Sequence, residues 1–158
     1  MNLRTAINST RRWHNKPQMA HVCDTVAAHS ARVQAIILAL WPDASRDLLI
    51  AALQHDAHEA IIGDMPGDAK AQFPALASAY DWAGAEVDRE YGWAVDLPPV
   101  DRQRLKFADR LDALLLVQDH APEWAAEDYW TEAKWSLRDT AKWLGVLGAI
   151  DALYGVKE

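Results

Sequence analysis

One cysteine stands in the whole chain, Cys23, so neither an internal disulfide nor a CxxC zinc-thiolate site can form. Any bound metal must therefore use nitrogen and oxygen ligands. Long apolar runs are missing as well. The stretch Val33 to Trp41 is interrupted by Gln34 and stops well short of the roughly 18 to 20 residues that cross a bilayer, so no membrane span is expected. The basic residues near the start are not followed by an apolar segment, so the opening residues do not read as a secretory signal, and a cytoplasmic protein is expected. Positive charge is in short supply. With 16 Lys and Arg against 23 Asp and Glu, the formal net charge is -7, which argues against a general nucleic-acid binder because neutralising a phosphate backbone needs an excess of cations. Local basic residues could still hold one small anion.

What is present describes a packed helical protein. The 158 residues are 51% hydrophobic and 25% charged, the balance of one ordinary globular domain. Strand-like alternation, repeats and Ser/Gly linkers are nearly or wholly lacking. The expected fold is all-α, a single domain over residues 1–158 built as a bundle of five to seven helices. Asp24-Thr25 can cap a helix reaching about Trp41, where Pro42 and Asp43 stop it, and Ser45 can cap the next, which carries Leu48 to about Ile62. Gly63 to Gly67, with Pro66 inside it, predicts a loop. Further helices are expected over about 74–91 and 101–120, and a last one from near Glu123 to about Tyr154, broken near Gly145 and Gly148.

The most informative feature is polar residues on stripes that should be apolar. Val22, Val26, Val33, Ile36, Ile37 and Leu40 recur at three- and four-residue steps, and His29 falls on the same face. Leu48, Leu49, Ala52 and Leu53 mark the buried face of the second helix, and its continuation lands on His55, Asp56 and Glu59. In the fourth long segment, Asp109 and Asp112 are interleaved with Leu105, Ala108, Leu115 and Leu116. A buried carboxylate without compensation costs several kcal/mol. Each residue alone has an ordinary reading: a core histidine is commonly just hydrogen-bonded, and Asp109 could pair with Arg102, Lys106 or Arg110. Together, two imidazoles and two carboxylates from three helices make a cage suited to one divalent ion such as Mn, Co, Fe, Zn or Mg.

Four segments carry a resemblance: RRWH (Arg11 to His14), AAHS (Ala27 to Ser30), QHDAHEAIIGDMP (Gln54 to Pro66) and FADRLDALL (Phe107 to Leu115). Over the span from Arg12 to about Leu116, the chain resembles the HD superfamily of metal-dependent phosphohydrolases, whose pattern is H...HD...D on a helical core. Within it, the chain is most similar to bacterial 5'-deoxynucleotidases and to phage enzymes such as deoxyadenosine triphosphate triphosphohydrolases. The HDxxE...GD.P segment is the specific part. The resemblance implies that His29, His55, Asp56 and Asp109 ligate the metal, that Glu59 and Asp64 are catalytic carboxylates, that Arg12 contacts a phosphate and that Trp13 meets the nucleoside. Lys70 and Lys106 are further phosphate candidates. His14, His21 and His58 lie outside the core pattern and are expected at the surface or behind the ligands.

The expected chemistry is hydrolysis of a phosphoester in a small nucleotide, with Glu59 and Asp64 sharing the acid and base roles in either order. A deoxynucleoside monophosphate would need one phosphate pocket, whereas a dNTP releasing triphosphate would need a longer run of cations, for which Arg11, Arg12, Lys16, Lys70 and Lys106 are available. The competing class is a nucleotide-binding or regulatory module that keeps the scaffold without turnover. Trp124, Trp130, Trp135 and Trp143 are expected in the core, with a subunit interface as the competitor. A homo-oligomer is expected on general grounds.

Overall fold

The computed structural model describes residues 3–155. Its α-helices are α1 (Leu3–Ser9), α2 (Val26–Leu40), α3 (Arg46–Gln54), α4 (Glu59–Ile62), α5 (Gly67–Gln72), α6 (Pro74–Glu90), α7 (Pro99–His120), α8 (Pro122–Ala125), α9 (Asp128–Trp143) and α10 (Leu147–Tyr154), with a 3-10 turn at Pro17–Met19. Among the described residues there is no strand, only an isolated antiparallel bridge between Arg11 and Thr25. The fold is all-α. The expected caps form: the Ala28 N–H donates to Thr25 Oγ1 at 3.2 Å and the Leu48 N–H to Ser45 Oγ at 3.1 Å.

The helices outnumber the expected five to seven because long periodic segments are cut into pieces. The second expected helix ends at Gln54, residues 55–58 form tight turns, and α4 begins afresh at Glu59. There the backbone bonds span three residues, Gln54 to Ala57 at 2.9 Å and Asp56 to Glu59 at 3.0 Å. Helix α5 lies where only the end of a loop was expected. Near the C-terminal side, the left-handed Gly145 (φ +74°) separates α9 from α10.

Contacts gather the chain into two compact units, residues 1–31 with 50–96 and residues 32–49 with 97–158. In the first unit α4 packs against α1 and α6, and α5 against α6. Its buried apolar residues are mostly small, including Ala6, Ala51, Ala52 and Ala57 beside Met19, Val26 and Tyr80, while Asp24, His29, Ser30 and Glu59 are buried polar groups. So many buried polar groups are costly unless partnered or ligating.

The second unit is more conventional. Helix α7 packs on α8 and α9, and α9 on α8 and α10. Phe107, Leu111, Leu114, Val117, Leu137 and Ile150 are fully buried, and Trp41 meets Phe107 edge-on at 6.2 Å. The inward carboxylate Asp112 is matched by Arg32, whose Nε and Nη2 donate to its two oxygens at 2.7 and 3.0 Å. This bidentate pair meets the desolvation cost of Asp112 without a metal. Several apolar assignments need correction: Leu53 is 45% exposed, and Val22 precedes α2 and is half-buried. Of the four tryptophans expected in the core, only Trp130 is buried; Trp135 and Trp143 are exposed on the outer side of the amphipathic α9.

Candidate metal centre

The site begins with a buried histidine. His29 lies one turn into α2, where Thr25 starts the helix, and its side chain is fully buried. His55 follows the last residue of α3. Its Nδ1–H donates to the Ala52 carbonyl at 3.0 Å, so the proton sits on Nδ1 and Nε2 is the nitrogen turned toward His29. That nitrogen stands 3.2 Å from His29 Nε2, and Asp56 Oδ2 lies 3.4 Å from His29 Nε2 and 3.3 Å from His55 Nε2.

These spacings fit a shared cation. Donor atoms each about 2.0–2.2 Å from one ion stand about 3.0–3.5 Å apart, the edge length of a tetrahedron or octahedron. His55 and Asp56 stand in the tight turns that follow Gln54, and both side chains reach His29 from there. His29, His55 and Asp56, all in the first unit, belong to a group of side chains that could hold a metal ion. Asp109 is on α7 in the second unit and is half-buried.

Two carboxylates accompany the ligands in the first unit. Glu59 opens α4, is only 5% exposed, and its Oε2 has no hydrogen-bond partner. Burial, and then the negative charges of Asp56 and Asp64, push its pKa up to about 9, against the pull of Arg12 and Lys70. Asp64 follows Gly63, whose φ of +84° lets the chain reverse, and the Tyr80 hydroxyl donates to the Gly63 carbonyl at 2.5 Å. Burial also raises the Asp64 pKa, while Arg12, His14 and Lys70 oppose the rise.

No known family model, curated protein or solved structure matches this chain. The case for a site rests on its geometry.

The other expected site residues are distributed unevenly. Arg12 is half-buried, 3.6 Å from Asp24, and its guanidinium lies 5.7 Å from the centre of the Trp13 ring. Trp13 itself has φ +62°, a left-handed conformation that a bulky residue rarely adopts. Lys70, on α5, sits 4.6 Å over the Tyr80 ring, and Lys106 is exposed on α7 in the second unit. Lys16 pairs with Asp68.

His14 and His58, expected at the surface or behind the ligands, each face a carboxylate that the sequence reading did not pair with them. His14 Nδ1 is 3.8 Å from Asp64 Oδ2, and His58 Nδ1 is 3.4 Å from Asp88 Oδ2 on α6. The His58 ring also lies against Gly84. A Cβ at Gly84 would stand 2.9 Å from the His58 Cδ2, closer than two carbons can approach. The Gly84→Ala substitution gains about 1 kcal/mol of helix propensity. It loses about 1–3 kcal/mol to overpacking, so a net destabilisation of about 1 kcal/mol is expected in urea unfolding. Only the three-residue step from His55 hinted at His58; nothing local hinted at Asp88, Tyr80 or Gly84.

Proposed function

We propose that this chain is a divalent-metal-dependent phosphohydrolase acting on small deoxynucleotides, with His29, His55, Asp56 and Asp109 as its metal ligands. The observation that carries this reading is the convergence of two imidazole Nε2 atoms and one carboxylate oxygen within 3.2–3.4 Å, beside the buried Glu59. The HD-type pattern in the sequence supports it, since the same residues occupy its positions.

A bound divalent cation supplies Lewis-acid polarisation of a phosphoryl oxygen and makes water more acidic. The side chains do the rest. Glu59, buried next to Asp56, would ionise once a bound cation offsets the negative charge around it, and it then orients the attacking water and accepts its proton. Asp64 is more open and lies among Arg12, His14 and Lys70, where it protonates the departing nucleoside oxygen. Arg12 and Lys70 offset phosphate charge, and the Trp13 ring offers a face for a base or sugar. In the balanced reaction water adds to phosphorus, the bond from phosphorus to the nucleoside oxygen breaks, and the proton lost by water is matched by the one gained by the leaving oxygen.

The test is a panel of dNMPs and dNTPs with purified protein and Mn, Co, Zn, Fe or Mg, with product identification. Turnover is expected with at least one metal. Release of inorganic phosphate from a dNMP identifies a 5'-deoxynucleotidase, and release of triphosphate from a dNTP identifies a triphosphohydrolase. Binding of these nucleotides to metal-loaded protein without any turnover would replace this reading with that of a binding or regulatory module.

A further inference from the structure

Histidine 14 stands apart from the metal ligands. It lies in the segment between α1 and the 3-10 turn, and it is half exposed. Two features hold it. The Arg12 N–H donates to the Asp24 carbonyl at 3.2 Å, which ties this segment to the start of α2. The left-handed Trp13 then reverses the backbone, and the Lys16 N–H closes the turn on the Trp13 carbonyl at 2.9 Å. Strain of this kind in a bulky residue persists only where surrounding contacts over-determine it.

The turn presents one edge of the imidazole to Asp64 and leaves the ring open to solvent. The Nδ1–H donates to the Arg11 carbonyl at 3.2 Å, and the same nitrogen is 3.8 Å from Asp64 Oδ2. That carboxylate is mostly covered, with 14% of its side chain exposed, whereas half of His14 is open. A distance of 3.8 Å is an ion-pair distance rather than a hydrogen bond, and a small ring rotation or one bridging water closes it. The charged groups around the pair are Arg12, Lys70, Asp56 and Glu59, with Lys16 held by Asp68.

We infer that His14 is a proton-relay residue, passing protons from solvent to Asp64 between turnovers. This rests on the proposed hydrolase function. After Asp64 gives its proton to the leaving nucleoside oxygen, it is a carboxylate. The imidazolium of His14 gives its Nδ1 proton to an Asp64 oxygen, which leaves a neutral ring that keeps its Nε2 proton, and Nδ1 then takes a replacement proton from solvent water or buffer acid. No other reactant is needed. Imidazole suits this task because, as a class, it gains and loses a proton near neutral pH.

The experiment uses the full chain, metal-loaded, with the best substrate of the panel. In His14→Ala, kcat is expected to fall about tenfold at pH 8, a modest share of what acid–base groups contribute, with KM changed less than about twofold. Imidazole added to the buffer should restore kcat in proportion to its concentration. A separate readout needs no turnover: in the metal-free chain, the His14 ring nitrogen resonances should move in Asp64→Asn and stay in place in Asp68→Asn. If wild-type protein is active and His14→Ala matches it at every pH, the relay is refuted while the hydrolase reading stands. A loss confined to KM, or one that imidazole does not restore, assigns His14 a binding or structural role instead. Wild-type protein inactive on the whole panel removes both proposals together.

Discussion

Replacing Asp56 with alanine is expected to abolish tight divalent-metal binding and to lower turnover on the order of a thousandfold or more, because both the cation and the charge it neutralises are lost together. Asp56 contributes the oxygen that lies 3.4 and 3.3 Å from the two histidine nitrogens. Without it, two neutral imidazoles remain from the first unit, a weaker set for a hard cation. Calorimetric titration with Mn or Co reads the binding directly. Thermal unfolding gives a second reading: a ligand at 100 times its Kd adds about 2.7 kcal/mol, or roughly 5–10 °C in Tm at this chain length. Wild-type protein should show that rise and Asp56→Ala should not. An equal rise in both proteins would mean that the metal sits elsewhere.

The second large effect belongs to Glu59. Glu59→Gln keeps size and hydrogen-bonding capacity but cannot take a proton from water, so turnover should fall about 100- to 10,000-fold while metal affinity changes little. Its effect on stability has a definite sign. In the metal-free protein the Glu59 carboxyl ionises near 9, against 4.5 in an ordinary glutamate. Between those values the folded chain keeps a proton that the unfolded chain releases. The contribution of Glu59 is therefore fully present below about pH 4.5 and is lost as pH rises through about 9, on the order of a few kcal/mol. Asp64, also raised, acts in the same direction. Urea unfolding in chelator from pH 5 to 9 should show wild-type stability falling with pH. Glu59→Gln should show a shallower slope, and a parallel slope would remove Glu59 as its source.

Much of the fold could be read locally. Thr25 and Ser45 cap the helices they were expected to cap, the pauses near Pro42 and Gly145 fall where the chain changes direction, and His29 is fully buried as its stripe required. Signals of this sort depend on residues three or four apart, and the chain carries them in its order. The misplaced pieces have local causes that compete closely. Residues 48–62 follow a helical period throughout, yet the helix stops where His55 and Asp56 turn toward His29. Periodicity cannot distinguish a continuous helix from two joined by a tight turn of similar pitch.

The candidate site divides in the same manner. His29, His55, Asp56 and Glu59 were recognisable because ligand-type residues occupied positions that ought to be apolar. The partners of several charged groups were not. Asp112 meets Arg32 across 80 positions in the chain, and His14 reaches Asp64 across 50. Composition and spacing thus decide that the chain is helical, that its caps and breaks fall near particular residues and that polar groups enter its interior, since these follow from neighbours along the backbone. Which of those groups gather where a metal ion could be held, which become ion pairs and which histidine faces a carboxylate depends on chain segments meeting in space, and only the folded arrangement supplies those distances.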